Sequence, residues 1–338
     1  MIFPFTAIVG QEEMKTGLIL NVIDPSIGGL LIMGEKGTAK STAVRALAEL
    51  LPETEAVKGC PFNCEPEGVL CSVCTETLKH EDHLHKERKK MRVVELPLGI
   101  SEDRLVGTMD IEHALKKGEK RFEPGILADA NRNFLYVDEV NLLEDYIVDL
   151  LLDSAAMGVN TVEREGVSFM HPARFILVGT MNPEEGDLRP QLLDRFGLCV
   201  QVVTIADKTQ RMDILRRKAA FDSEPVVFGA EWHPQQKDLA ERIVAAKTGL
   251  NDIKITDEIL ERIVSITAPL GLDGHRADIV MMKASRALAA FRRKDAIDIY
   301  DIREAARLCL SHRMKRLPFE EMGAENEKLR ALLAELPL

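Results

Sequence analysis

Residues 30–47, LLIMGEKGTAKSTAVRAL, constrain the fold more than any other stretch. The apolar run at 27–33, IGGLLIM, has the length of a buried parallel strand, and TAVRALAELL beyond it carries apolar residues at helical spacing. GEKGTAKS lies between them, and strand, tight glycine loop and helix in that order predict a phosphate cradle. The backbone N–H groups of Gly34, Glu35, Lys36, Gly37, Thr38, Ala39, Lys40 and Ser41, with Thr42 next in the helix, would ring the phosphates at a helix N-terminus. Lys40 would add a point charge, and the Ser41 hydroxyl would ligate Mg²⁺. A glycine turn that merely joins strand to helix is the alternative; Lys followed by Ser at the helix start speaks against it.

Ala39 departs from the G-x-x-x-x-G-K-[ST] pattern, which has Gly there. Alanine costs little at negative φ, and about 1–2 kcal/mol if the backbone must be left-handed. Gly37 still gives the turn freedom.

A second apolar strand, FLYVDE at 134–139, ends in adjacent carboxylates. Consecutive side chains leave a strand on opposite sides, so Asp138 can hold Mg²⁺ while Glu139 polarises the attacking water. A third, RFILVGTMNP at 174–183, places Asn182 just past its end, where phosphate chemistry gathers in open α/β sheets. Asn182 would orient the lytic water, or simply form an Asn-Pro turn. In EEGDLRPQLLDRFGLCV, Arg195 is either an ion-pair partner of Asp194 or Glu185, or an arginine finger reaching a neighbouring subunit's γ-phosphate, with Arg189 as second candidate.

GEKGTAKS, FLYVDE, GTMNP and LLDRFG in this spacing resemble an AAA+ ATPase, and the stretch from FEPGILADANRNFLYVDE to LLDRFGL is similar to the I subunit of magnesium chelatase. The likeness covers most of the chain and is weakest in the Cys-rich stretch. It implies an α/β, P-loop αβα sandwich with a parallel sheet over 1–206, then an α-helical lid and acidic tail over 207–338. It also implies a ring, usually hexameric, with ATP between subunits. By motif, Lys40 and Ser41 are the phosphate-loop pair, Asp138 and Glu139 the Walker B pair, and Asn182 is sensor 1. Arg195 is then the finger and Arg276, in GLDGHRADIV, sensor 2. Ile8 and Val9, in IVGQE, fall near the adenine, and 158–172 form a pre-sensor hairpin. Two departures stand out: Ala39, which the minichromosome-maintenance helicases share in their GTAKS form, and Asn133 where RG commonly precedes the Walker B strand. The implied activity is ATP hydrolysis driving insertion of Mg²⁺ or Co²⁺ into a tetrapyrrole, with an integrin-domain AAA+ companion and a large catalytic chelatase subunit as partners. A remodelling or helicase-like motor, or a nucleotide-gated scaffold, is the alternative.

A net charge of −11 with one Trp and three Tyr opposes broad nucleic-acid binding, which needs phosphate neutralisation and stacking platforms. No apolar run approaches the roughly 20 residues of a membrane span, and the N-terminus lacks signal-peptide character, so a cytoplasmic protein is expected. In CPFNCEPEGVLCSVC, Cys60, Cys64, Cys71 and Cys74 follow a C-x₃-C-x₆-C-x₂-C spacing inside an insert at about 58–90, with His80, His83 and His85 beyond. Four thiolates so close suit Zn²⁺, an iron–sulfur cluster or a redox switch, or are ordinary cytosolic thiols.

Toward the C-terminus, residues 207–221 read as helix, SEPVVFGAEWHP as a loop, and QQKDLAERIVAAKTGL as helix again. Thr256 is a candidate N-cap. Met281, Met282 and Cys309 fall on packed helical stripes. Arg276 would reach a γ-phosphate, or pair with Asp273 or Asp278.

Overall fold

The computed structural model describes residues 1–109, 122–164, 167–186, 188–314, Leu329 and Leu333. Apart from those two leucines, the helix expected in the acidic tail lies outside the described residues.

Eleven strands are present among the described residues: β1 (Leu30–Gly34), β2 (Thr54–Val57), β3 (Lys86–Lys89), β4 (Val93–Glu95), β5 (Gly107–Met109), β6 (Phe122–Pro124), β7 (Phe134–Val137), β8 (Val159–Arg164), β9 (Val167–Pro172), β10 (Ile176–Met181) and β11 (Leu198–Val202). Five of them form a parallel sheet in the order β11-β1-β10-β7-β4. Leu30 stands beside Val178 on one side and Leu198 on the other, and Leu177 beside Leu135. The apolar runs follow from burial on both faces. Leu30, Ile32, Phe134, Val178 and Val200 enter one core with the helices Glu12–Ile23 and Lys40–Leu50, while Leu31, Leu135, Val137, Leu177 and Cys199 enter a second with Asp145–Met157. This αβα sandwich carries the ends of β1, β7 and β10 to one edge.

Beyond β11 the described residues form the helices Lys208–Ser223, Pro225–Thr248, Asp257–Thr267, Arg276–Phe291 and Ile299–Leu310. The segment expected to be a loop is instead the first half of Pro225–Thr248. Pro225 sits at the helix start, where its missing N–H costs nothing. Phe228 then packs against Phe3, Phe221 and Trp232, and this aromatic cluster outweighs the interior Pro234. Thr256 accepts from Ile259 N at 3.4 Å, as its capping role requires. Met281 and Cys309 are fully buried and Met282 partly so, in a core continuous with one face of the sheet.

Candidate functional site

A cleft of about 650 Å³ opens where β1, β7 and β10 end. Ile8, Val9, Lys36–Ser41, Thr42, Asp138, Glu139 and Asn182 all line it. Gly34 and Glu35 form its rim: Gly34 has φ 149°, and a Cβ there would meet Val202 O at 2.1 Å, so only glycine lets the loop cross β11 this closely. Glu35 accepts a hydrogen bond from Thr204 Oγ1 at 3.0 Å.

Ala39 adopts φ 62°, ψ 22° and so takes the strained branch of the sequence expectation. It caps the helix Lys40–Leu50 without a side-chain bond, and no acidic residue lies in the first turn. The first-turn N–H groups are therefore open to an anion. Lys40 donates from Nζ to Gly34 O at 2.6 Å, and burial lowers its pKa.

Across the cleft, Thr180 Oγ1 donates to Asp138 Oδ1 at 2.6 Å and accepts from Glu139 N at 3.1 Å. Tyr136 donates from its hydroxyl to the same Asp138 oxygen at 3.1 Å. Burial, then the Asp138 charge, push the Tyr136 pKa upward, so the phenol stays a donor. Glu139 is left-handed, at φ 55°. Its carboxylate meets Lys36 Nζ at 2.9 Å, and Lys36 also meets Glu185 at 2.8 Å. Hydrogen bonds donated to Glu185 and Glu139 raise the Lys36 pKa, and Lys36 in turn lowers that of Glu185. Asn182 both lines the cleft and accepts from Glu184 N at 3.3 Å, so the Asn-Pro turn and the cleft position coexist.

Arg195 and Arg276 do not join this cleft. Both line a separate depression of about 1290 Å³, with Asp194, His312 and Arg313. Arg195 pairs with Asp149 and Asp153, each at 2.8 Å, rather than with Asp194 or Glu185. Arg189 pairs with Asp145 at 2.6 Å. Arg276 faces Asp194 at 3.5 Å. The buried Arg313 binds Asp194 Oδ1 at 3.0 Å and donates to the carbonyls of Asp194, Phe196, Gly197 and Cys309. Its neighbour His312, buried and beside a cation, has its pKa held well below the usual imidazole range.

Thr180, Tyr136 and Arg313 went unread in the sequence. Period-2 alternation was a usable signal for two of them, since Tyr136 lies two residues before Asp138 and Thr180 two before Asn182. Nothing local marks Arg313, whose partners apart from the Cys309 carbonyl are over 100 residues away.

A magnesium chelatase, subunit ChlI, family model matches residues 107–191, and an AAA lid domain model matches 260–332. The chain is 55% identical to a magnesium-chelatase subunit ChlI homolog of Methanocaldococcus jannaschii, covering 99% of this chain and 91% of that one. The chain belongs to the magnesium-chelatase ChlI family of AAA+ ATPases. Within this family, ChlI of Cyanophora paradoxa is 52% identical over 97% of this chain and 96% of its own length. A chain of a BchI–BchD magnesium chelatase complex, built on a single-particle cryo-EM reconstruction, is 47% identical with a TM-score of 0.55, covering 97% and 99%. Family membership fixes an ATP-hydrolysing α/β unit followed by a helical lid. No helix among the described residues is long and apolar enough to cross a membrane.

Proposed function

We propose that this chain is the ATP-hydrolysing motor of a chelatase complex that inserts Mg²⁺, or Co²⁺, into a tetrapyrrole on a separate large catalytic subunit. An integrin-domain AAA+ companion would complete the motor, a reading supported by the similarity to the BchI–BchD complex. The proposed units are 1–206, the nucleotide core, and 207–338, the lid and tail.

The observation that carries the reading is the division of the hydrolytic groups between two separate depressions. Lys40 and the loop amides bind the triphosphate; Ile8 and Val9 pack beside the base. Ser41 and Asp138 present hard oxygen donors suited to Mg²⁺. An Mg²⁺ ion held by these oxygens would supply charge neutralisation to the phosphates. Thr180 and Tyr136 hold Asp138 in place. Glu139 accepts a proton from the attacking water, and Asn182 orients that water. Arg195 and Arg276 lie outside the cleft and would serve a neighbour's, which requires a ring of this chain, a hexamer in our reading. The four-cysteine cluster, for which the proposed ligand is Zn²⁺, shares no lining residue with the cleft.

The test combines purified chain with ATP and Mg²⁺ and measures phosphate release against protein concentration. Turnover per chain should rise as oligomers form. Full turnover by a strictly monomeric species would remove the shared site. Affinity capture should retain an integrin-domain AAA+ chain and a very large subunit, and their absence would leave an ATPase without the chelatase role.

A further inference from the structure

The insert between β2 and β3 has almost no apolar core of its own. Its helix, Ser72–His80, buries only Cys74. The buried residues of the small cluster around it are Val57, Phe62, Leu84, Ala128 and the four cysteines, with Leu70, Phe122 and Phe169 partly buried against them. Ordering some thirty residues costs roughly 1–2 kcal/mol each in backbone entropy, more than these few apolar side chains return. Something else must hold this loop.

The four sulfurs point at one another. All four residues are buried, and their Sγ atoms lie within 4.8 Å of one another. Cys60 Sγ and Cys71 Sγ are 3.8 Å apart. A tetrahedron with Zn–S bonds of about 2.3 Å has edges of about 3.8 Å. The separation is too long for a disulfide, and the cysteines are free. An iron–sulfur cluster places several irons and sulfides between its thiolates and spreads them wider than this set. Backbone amides also turn toward the sulfurs: Phe62 N to Cys60 at 3.4 Å, Cys71 N to Cys64 at 3.3 Å, Cys74 N to Cys71 at 3.5 Å. Such donors stabilise thiolates, the form a metal binds. His80, His83 and His85 are exposed and take no part in the set.

What this knuckle carries is equally specific. Phe62, between the first two cysteines, is fully buried, stacks on His171 at 4.7 Å and lies 5.8 Å from Phe169. His171 and Phe169 belong to β9 of the hairpin β8–β9. Asn131 donates to Phe62 O at 2.7 Å, accepts from Asn63 Nδ2 on its own carbonyl at 3.0 Å, and accepts from Arg174 N at 2.9 Å. Asn131 and Arg174 stand just before β7 and β10, the strands that end at Asp138 and Asn182.

We propose that Cys60, Cys64, Cys71 and Cys74 bind one Zn²⁺ ion as a closed tetrathiolate, and that the ion fixes Phe62 as a wedge beneath the β8–β9 hairpin. With four protein ligands the site is structural and leaves no open position for catalysis. The zinc acts on the hairpin, and the proposal stands independently of how ATP is used.

Elemental analysis and native mass spectrometry of the full chain test the first half. One zinc per chain, without iron or acid-labile sulfide, is expected, and Cys74→Ser or a strong chelator should remove it. Iron with sulfide, or metal-free chain with four reactive thiols, overturns the proposal. Hydrogen–deuterium exchange over residues 159–172 tests the second half. Exchange there should quicken at least tenfold after zinc removal, and equally in Phe62→Ala, which keeps its zinc. Unchanged hairpin exchange in Phe62→Ala overturns the wedge even if Cys74→Ser fails to fold. ATP binding measured on the same samples separates loss of the knuckle from loss of the nucleotide site.

Discussion

The loop cleft and the arginine depression differ in how they hold Asp138 and Lys40 on one side and the arginines on the other, although Glu139 at the cleft is itself paired with Lys36. In the cleft, Asp138 is steered by neutral donors, Thr180 and Tyr136, and the cation Lys40 rests on a carbonyl. In the depression every arginine named above is held by a carboxylate: Arg195 by Asp149 and Asp153, Arg276 and Arg313 by Asp194. The first region can accept a polyanion and its metal. The second is a neutralised surface whose arginines must trade an aspartate for a phosphate. Under the proposed function neither is a complete hydrolytic site, and an assembly that apposes them would be.

That contrast breaks most sharply at Arg195. A finger acting across subunits is worth roughly 10³–10⁵ in rate. Arg195→Ala mixed with wild type should depress phosphate release more steeply than its mole fraction, and a linear decline would assign the arginine to its own protomer. Glu139→Gln should lower turnover roughly 10²–10⁴-fold while equilibrium nucleotide binding persists; Lys40→Ala should lose the binding itself. Thr180→Val tests whether neutral steering matters: the apparent Mg²⁺ requirement for turnover should rise roughly 10-fold or more, and an unchanged Mg²⁺ titration would make Thr180 dispensable. On the depression side, Asp194→Asn should cost about 2 kcal/mol in urea unfolding, less than for a fully buried pair because Asp194 is a third exposed and Arg313 keeps its carbonyl acceptors. The smallest effect belongs to Ala39→Gly, which should stabilise the fold by about 1 kcal/mol by relieving the left-handed alanine, with ATP affinity retained.

Much of the cleft was legible because its residues sit at the ends of apolar strands, where sequence neighbours are also spatial neighbours. The parallel order brings 34–41, 138–139 and 182 together with no further information than strand, turn and helix signals. The arginines were legible as residues and opaque as contacts. Their carboxylates lie on the helix Asp145–Met157 or meet them only once the lid is packed, and ion pairing between distant segments leaves no local pattern. The helix Pro225–Thr248 was missed for a related reason. Two prolines and a glycine argue locally for a loop, and only the aromatic cluster with Phe3 and Phe221 overrides them. Ala39 is the converse case: the residue was conspicuous, and its backbone angle could be known only from the folded turn.

Arg313 gives the lid a consequence of its own. One guanidinium, just past the helix Ile299–Leu310, grips the backbone on both sides of Phe196, immediately after Arg195. Detaching it would strand a cation among carbonyls, so the segment around Arg195 is clamped to the end of the helix Ile299–Leu310. In a ring of the proposed kind, any tilt of that helix in one protomer would carry its Arg195 along and reach the next protomer as a displacement.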